Sequence, residues 1–167
     1  MARREIELLQ GMAVFGAVSE ASLELILEDS TTVERSAGEY FIREGDEARA
    51  FYVLERGRVR VERGHLESQI ALAKLGSGDC FGEMALIECA NRSASIVALE
   101  SSLALRVPLD ALERVMSADL EQFTLIQMNL AREVSRRLRL ADQRLFEAHL
   151  DDEEVTALVA QPHWYVI

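Results

Sequence analysis

Two oppositely charged residues, Glu83 and Arg92, are the pair in this sequence best spaced to hold a small anion. They lie within the stretch Gly78–Val97, which reads Gly-Asp-Cys-Phe-Gly-Glu-Met-Ala-Leu-Ile-Glu-Cys-Ala-Asn-Arg-Ser-Ala-Ser-Ile-Val. Gly82 has no Cβ, so the backbone there can approach a ligand closely. Glu83, Met84, Ala85 and Leu86 follow without a breaker, enough for about one helical turn. The start of such a turn offers free N–H groups that suit an anion. Arg92 comes just before a β-favouring run, Ser93–Val97, so the chain can fold back and bring a guanidinium to the same spot. The competing reading makes Gly82 an ordinary bulge and the two charges a surface ion pair worth ~0–1 kcal/mol.

The wider pattern narrows this choice. Phe81-Gly82-Glu83, then Ala85-Leu86-Ile87, then Arg92-Ser93-Ala94 follow one another in the order of a phosphate-binding cassette. In this the stretch resembles the cyclic-nucleotide-binding domains of the catabolite-activator (cAMP receptor protein) and kinase-regulatory-subunit type. The resemblance implies that Glu83 accepts from a ribose 2′-hydroxyl. It also implies that Arg92 pairs with a cyclic phosphate, helped by the Ser93 hydroxyl and by backbone N–H groups after Gly82. The implied ligand set is Phe81, Gly82, Glu83, Met84, Ala85, Arg92, Ser93 and Ala94, with Asp142 from a later helix. Gly38, Gly45-Asp46, Phe51-Tyr52-Val53-Leu54 and Gly57 also fall at the family's recurring positions, so the likeness covers roughly residues 15–145.

The elements that must carry the cradle are legible as patterns. Residues 1–30 read as two short helices, with Ile6, Leu8, Leu9 and Met12 apolar, a break near Val14-Phe15-Gly16, and Ser19 as N-cap before Leu23, Ile26 and Leu27. From Thr31 to Pro108, short β runs alternate with glycine turns at the spacing of a sandwich or barrel. The predicted strands are Thr31–Ser36, Glu39–Ile42, Ala50–Leu54, Arg58–Glu62, Ile70–Leu75, Cys80–Phe81, Ala94–Ala98 and Leu103–Val107. Eight strands fit a jelly roll (a double-stranded β-helix), so the expected fold is mainly β with flanking helices. Turns are expected at Ala37-Gly38, Gly45-Asp46, Arg56-Gly57, Gly64 and Gly76-Ser77-Gly78, because glycine supplies positive φ at little cost.

After Pro108 the period turns helical. A short helix is expected over Leu109–Met116 with proline at its start, where no N–H is needed. Ser117 then reads as the N-cap of a long helix from about Ala118 to about Ala148. Phe123, Gln127, Leu130, Val134, Leu138, Ala141 and Leu145 form a stripe along it. The stripe either folds back on its own domain or pairs in parallel with a second copy, as the resemblance implies, giving a homodimer. Ser135-Arg136-Arg137-Leu138 resembles a turn of the activator's long helix. Where that family has a Thr-Ser pair on the adenine, this chain has Ala141 and Asp142, and a carboxylate that only accepts serves an adenine or a guanine edge alike.

Composition excludes several classes. The chain has 167 residues, 49% hydrophobic and 28% charged, which suits about one soluble domain. A net charge of −11 opposes binding to duplex DNA, since that affinity depends on basic side chains displacing counterions. The two cysteines, Cys80 and Cys89, give no disulfide framework, and an iron–sulfur cluster needs about four cysteine ligands. The three histidines, His65, His149 and His163, lack metal-ligand spacing. No cofactor, metal or membrane span is expected, and with no apolar leader the chain reads as cytoplasmic.

The expected organisation is N-terminal helices over 1–30, a β-roll over 31–108, helices over 109–148 and a tail over 149–167. The tail begins with the acidic run Asp151–Glu154, which suits a helix N-terminus, passes the breaker Pro162 and ends His163-Trp164-Tyr165-Val166-Ile167. It packs on its own domain or on a dimer mate, or serves as a docking strand or peptide for a protein partner. No recognition helix fits in it, so a helix-turn-helix domain is not expected. Three functions stand on this reading: a cAMP or cGMP sensor in signal transduction, a catabolite-activator-type transcription regulator acting without its own DNA reader, and a scaffold with a vestigial pocket. An enzyme is not expected, because no nucleophile–base pair stands out.

Overall fold

The computed structural model describes residues 6–7, 9–64, 69–88 and 90–150, with the side chains of 85, 86 and 148–150 outside that description. His65, Cys89, His163 and the tail beyond Leu150 also lie outside the described residues. The chain divides into two compact units, Met1–Leu130 and Ala131–Ile167.

In the first unit a 3₁₀ turn, Ala13–Phe15, precedes helix α1, Glu20–Asp29. Ser19 caps α1 as its sequence suggests, its side-chain oxygen accepting from the Ser22 N–H at 3.3 Å. The strands follow as β1 (Thr31–Arg35), β2 (Tyr40–Ile42), β3 (Ala50–Arg56), β4 (Arg58–Arg63), β5 (Ile70–Gly76) and β6 (Cys80–Phe81). A short helix α2 (Met84–Ile87) separates these from β7 (Ser95–Ala98) and β8 (Ser102–Pro108). Helices α3 (Leu109–Ala118) and α4 (Leu120–Leu150) complete the described chain.

All eight predicted strands form, in two antiparallel four-stranded sheets ordered β1-β8-β3-β6 and β2-β7-β4-β5. Only β4 and β5 are both neighbours in sequence and in a sheet; the other pairings cross between distant segments, as in a jelly roll.

The period of two along β3 sorts its side chains between two cores. Phe51 and Val53 join a cluster with Phe15, Leu23, Ile26, Val115, Ile126 and Leu130, where the helices cover the first sheet. Tyr52 and Leu54 face the other way, into the roll, with Phe41, Val59, Phe81 and Ile96. Burying such side chains supplies about 1.5–3 kcal/mol each, so both clusters hold the first sheet in place. The turn into β4 requires glycine. Gly57 has φ +93°, and a Cβ there would lie 2.3 Å from Ser102 Oγ.

Two expectations at the helical end need correction. The cap of the long helix is Asp119 rather than Ser117, with its Oδ1 accepting from the Gln122 N–H at 3.1 Å. The Ser117 hydroxyl donates instead to the Glu113 carbonyl at 2.9 Å, because α3 runs on to Ala118. The stripe also divides. Leu130 is buried in the helix-covered core beside Ile126, whereas Leu138, Ala141 and Leu145 are exposed.

Candidate functional site

The site forms where β6 ends and α2 begins. Strand β6 is held to β3 through the pairs Tyr52 with Phe81 and Val53 with Cys80. The rings of Tyr52 and Phe81 stack at 5.2 Å and 8°, and Phe41 meets Phe81 edge-on at 5.5 Å. This aromatic packing fixes the residue before Gly82, and Gly82 turns the chain with φ +78°. A Cβ on Gly82 would lie 2.7 Å from Arg92 Nη1 and 2.8 Å from Ile42 Cδ1. The glycine is thus required twice, for its backbone angle and for the close approach of the arginine.

Arg92 points inward. Its Nη1 donates to the Gly82 carbonyl at 2.8 Å and its Nη2 to the Ala50 carbonyl at 2.6 Å. Its backbone is clamped as well. The Arg92 N–H donates to the Asp46 carbonyl, and the Gly45 N–H donates to the Arg92 carbonyl, both at 2.9 Å. The neighbouring loop is held by the Ser95 hydroxyl, which accepts from the Glu44 N–H at 2.9 Å.

Arg92 is 7% exposed and Glu83 3% exposed, which removes the reading of the two as a surface pair. Burial draws the Arg92 pKa below its usual value. Tyr52, Asp46 and Glu83 oppose that shift, and Arg106 adds to it. The guanidinium stays charged at neutral pH. A buried cation with donors beyond the two it gives to carbonyls suits an anion that can replace lost water.

The remaining expected residues take up these places. Phe81 is buried under Tyr52, Met84 is exposed on α2, and Ser93 is exposed beside half-buried Ala94. Ala85 lies in the backbone of α2. Asp142 is exposed on α4, in the second unit. Three contributors were not singled out from sequence: the Ala50 carbonyl, the Tyr52 ring and the Gly45-Asp46 turn as a clamp on Arg92. Carbonyl acceptors leave no residue-type signal. Tyr52 is legible only as one residue of the recurring Phe51-Tyr52-Val53-Leu54 strand, and its parity on β3 turns its ring toward Phe81. Among the described residues, no cluster of His, Cys, Asp and Glu is placed to hold a metal ion, and no helix is long and apolar enough to cross a membrane.

Residues 32–119 match the family model described as cyclic nucleotide-binding domain. The chain is 33% identical over 138 residues to the cyclic AMP receptor protein of Thermus thermophilus, covering 82% of this chain and 62% of that one. It is 34% identical over 99 residues to cGMP-dependent protein kinase 2 of Homo sapiens, covering 58% of this chain and 13% of that one. A cyclic nucleotide-binding domain from Methylobacillus flagellatus superposes with a TM-score of 0.78 at 21% identity, over 88% of this chain and 85% of that one. The chain therefore spans less than two thirds of the length of these two curated relatives.

Proposed function

Because this chain belongs to the cyclic nucleotide-binding domain family, we propose that its roll captures cAMP or cGMP and that the protein is a regulatory sensor in signal transduction. The observation that carries this reading is the buried guanidinium of Arg92, held against Gly82 with the Glu83 carboxylate also buried. In this reading Arg92 meets the ring-closed phosphate, and Glu83 accepts from the ribose hydroxyl. Gly82, Met84 and Ala85 bring the backbone close, while Phe81, Ser93 and Ala94 frame the cassette.

A ligand shifts a conformational equilibrium only by binding one state more tightly than the other. Charge-assisted hydrogen bonds at ~1.5–3 kcal/mol each are large enough to supply that difference. The output we assign to α4, as a parallel homodimer in the cytoplasm. We assign the site no reaction, since Glu83 and Arg92 are suited to holding a charged ligand.

A thermal-shift series tests the capture. cAMP or cGMP is expected to raise the melting temperature, and 5′-AMP, with an open phosphate, to do so much less. Equal shifts from all three, or none from any, would remove the proposal.

A further inference from the structure

Helices α1 and α3 pack over the first sheet and leave an open groove of about 580 Å³ between them. It is lined by Leu25 of α1 and by Asp110, Glu113, Arg114, Ser117 and Ala118 of α3. The α3 residues recur at steps of three and four, which sets them along one face of that helix, whereas Leu112 and Val115 are buried in the core. None of the lining residues belongs to the Arg92 cradle.

The charges of the groove do not balance. Arg114 is tied to α1: its Nη2 donates to the Leu25 carbonyl at 2.9 Å and lies 2.7 Å from Asp29 Oδ2, while its Nη1 donates to Glu28 at 3.2 Å. A fork held at three acceptors does not swing across to the carboxylates of α3. Asp110 and Glu113 are exposed, and their side chains make no hydrogen bond or ion pair among the described residues. Arg49, whose field reaches Asp110, bonds Glu47 at 3.0 Å instead.

The floor between these carboxylates is apolar. Leu25 is half-buried there and Ala118 is exposed, and on either side of Ala118 in the chain Met116 is 43% and Leu120 64% exposed. An apolar surface edged by carboxylates fits a segment that carries both apolar side chains and Lys or Arg, the amphipathic kind that lies in a groove between helices. The same edge repels the phosphates of nucleic acid or of an anionic lipid surface. A second copy of the chain is a poor occupant as well, because each copy carries a net charge of −11.

We infer that the groove between α1 and α3 docks a cationic, amphipathic peptide segment of a protein partner. Its apolar side chains rest on Leu25 and Ala118, and its ammonium or guanidinium groups meet Asp110 and Glu113. This surface is separate from the nucleotide site and does not depend on it.

The experiment follows the fluorescence anisotropy of a dye-labelled helical peptide of Lys and Leu as the full chain is added at about 0.15 M salt. Saturable binding is expected, and none for a Glu–Leu counterpart. Asp110→Asn combined with Glu113→Gln should weaken binding about tenfold. Ala118→Trp keeps every charge but fills the groove, and should weaken binding by a similar factor. Glu20→Gln combined with Glu24→Gln removes the same charge from α1 outside the groove, and should leave the affinity as in the parent. No binding to the parent, equal binding of both peptides, an unchanged affinity in Ala118→Trp, or an equal loss in the Glu20 and Glu24 variant would each overturn the docking site. None of these changes touches Glu83 or Arg92, so the thermal-shift series with cAMP and cGMP still reads nucleotide capture by itself.

Discussion

Arg92 does two jobs at the scale of one side chain: it offers a buried positive charge, and it ties the start of β3 to the end of β6 through two carbonyls. The two roles separate by mutation. Arg92→Ala removes the charge and orphans both acceptors, so it should weaken nucleotide binding by at least about tenfold, or ~1.4 kcal/mol. It should also lower stability by about 1–3 kcal/mol, read by urea denaturation. Arg92→Lys keeps a charge without the planar fork, and should keep more stability than affinity. Gly82→Ala acts through the same contact. Its methyl would press on Arg92 Nη1 and Ile42 in a backbone conformation costing about 1–2 kcal/mol, so both melting temperature and affinity should fall. An unchanged affinity in this variant would mean that the approach of Arg92 to Gly82 has no part in binding. The acid, the base and the glycine were all legible in the sequence, because each is a residue type with a fixed spacing. What they bond was not. Ala50 contributes only a carbonyl, and every residue has one.

Among the elements, legibility followed the strength of the local signal. Alternation and glycine turns marked all eight strands, as at Arg56-Gly57, where only glycine fits beside Ser102. The Ser19 cap was readable for the same reason, an oxygen-bearing side chain just ahead of an apolar period. Replacing it by alanine should cost about 1 kcal/mol in a denaturation experiment, since the Ser22 N–H then loses its acceptor. The start of the long helix was misread because Ser117 and Asp119 are both competent caps, and their choice depends on where α3 stops. Docking of α3 decides that: Val115 and Leu112 sit in the helix-covered core and carry the helix on to Ala118. The change of stripe along α4 was hidden likewise. A periodic apolar face does not by itself say that Ile126 and Leu130 meet the core while Leu138 and Leu145 are exposed.

For the molecule as a whole, charge and association are the observable consequences. Light scattering should return about twice the 18.7 kDa chain mass, and a monomer at micromolar concentration would count against pairing along α4. Acid should loosen the second unit in a defined direction. The Arg136 hydrogen bond, assisted by the charges of Arg137 and Arg136, holds the Glu133 carboxyl below its usual 4.5, against burial. Its stabilising effect is therefore present at and above that pH, and is lost as pH falls below 4.5 through the lower folded value. Helical circular dichroism at pH 7 and pH 3.5 should show a smaller acid loss in Glu133→Gln than in the parent. Equal losses would show that this cluster does not contribute.

The central claim is that a buried arginine and glutamate in the roll receive a cyclic nucleotide, and calorimetric titration of the full chain with cAMP and with cGMP tests it most directly. Saturable heat at one site per chain is expected for at least one of them, with binding at least about tenfold weaker in Arg92→Ala. No saturable heat from either nucleotide in the folded parent chain, or the same affinity without Arg92, would contradict it.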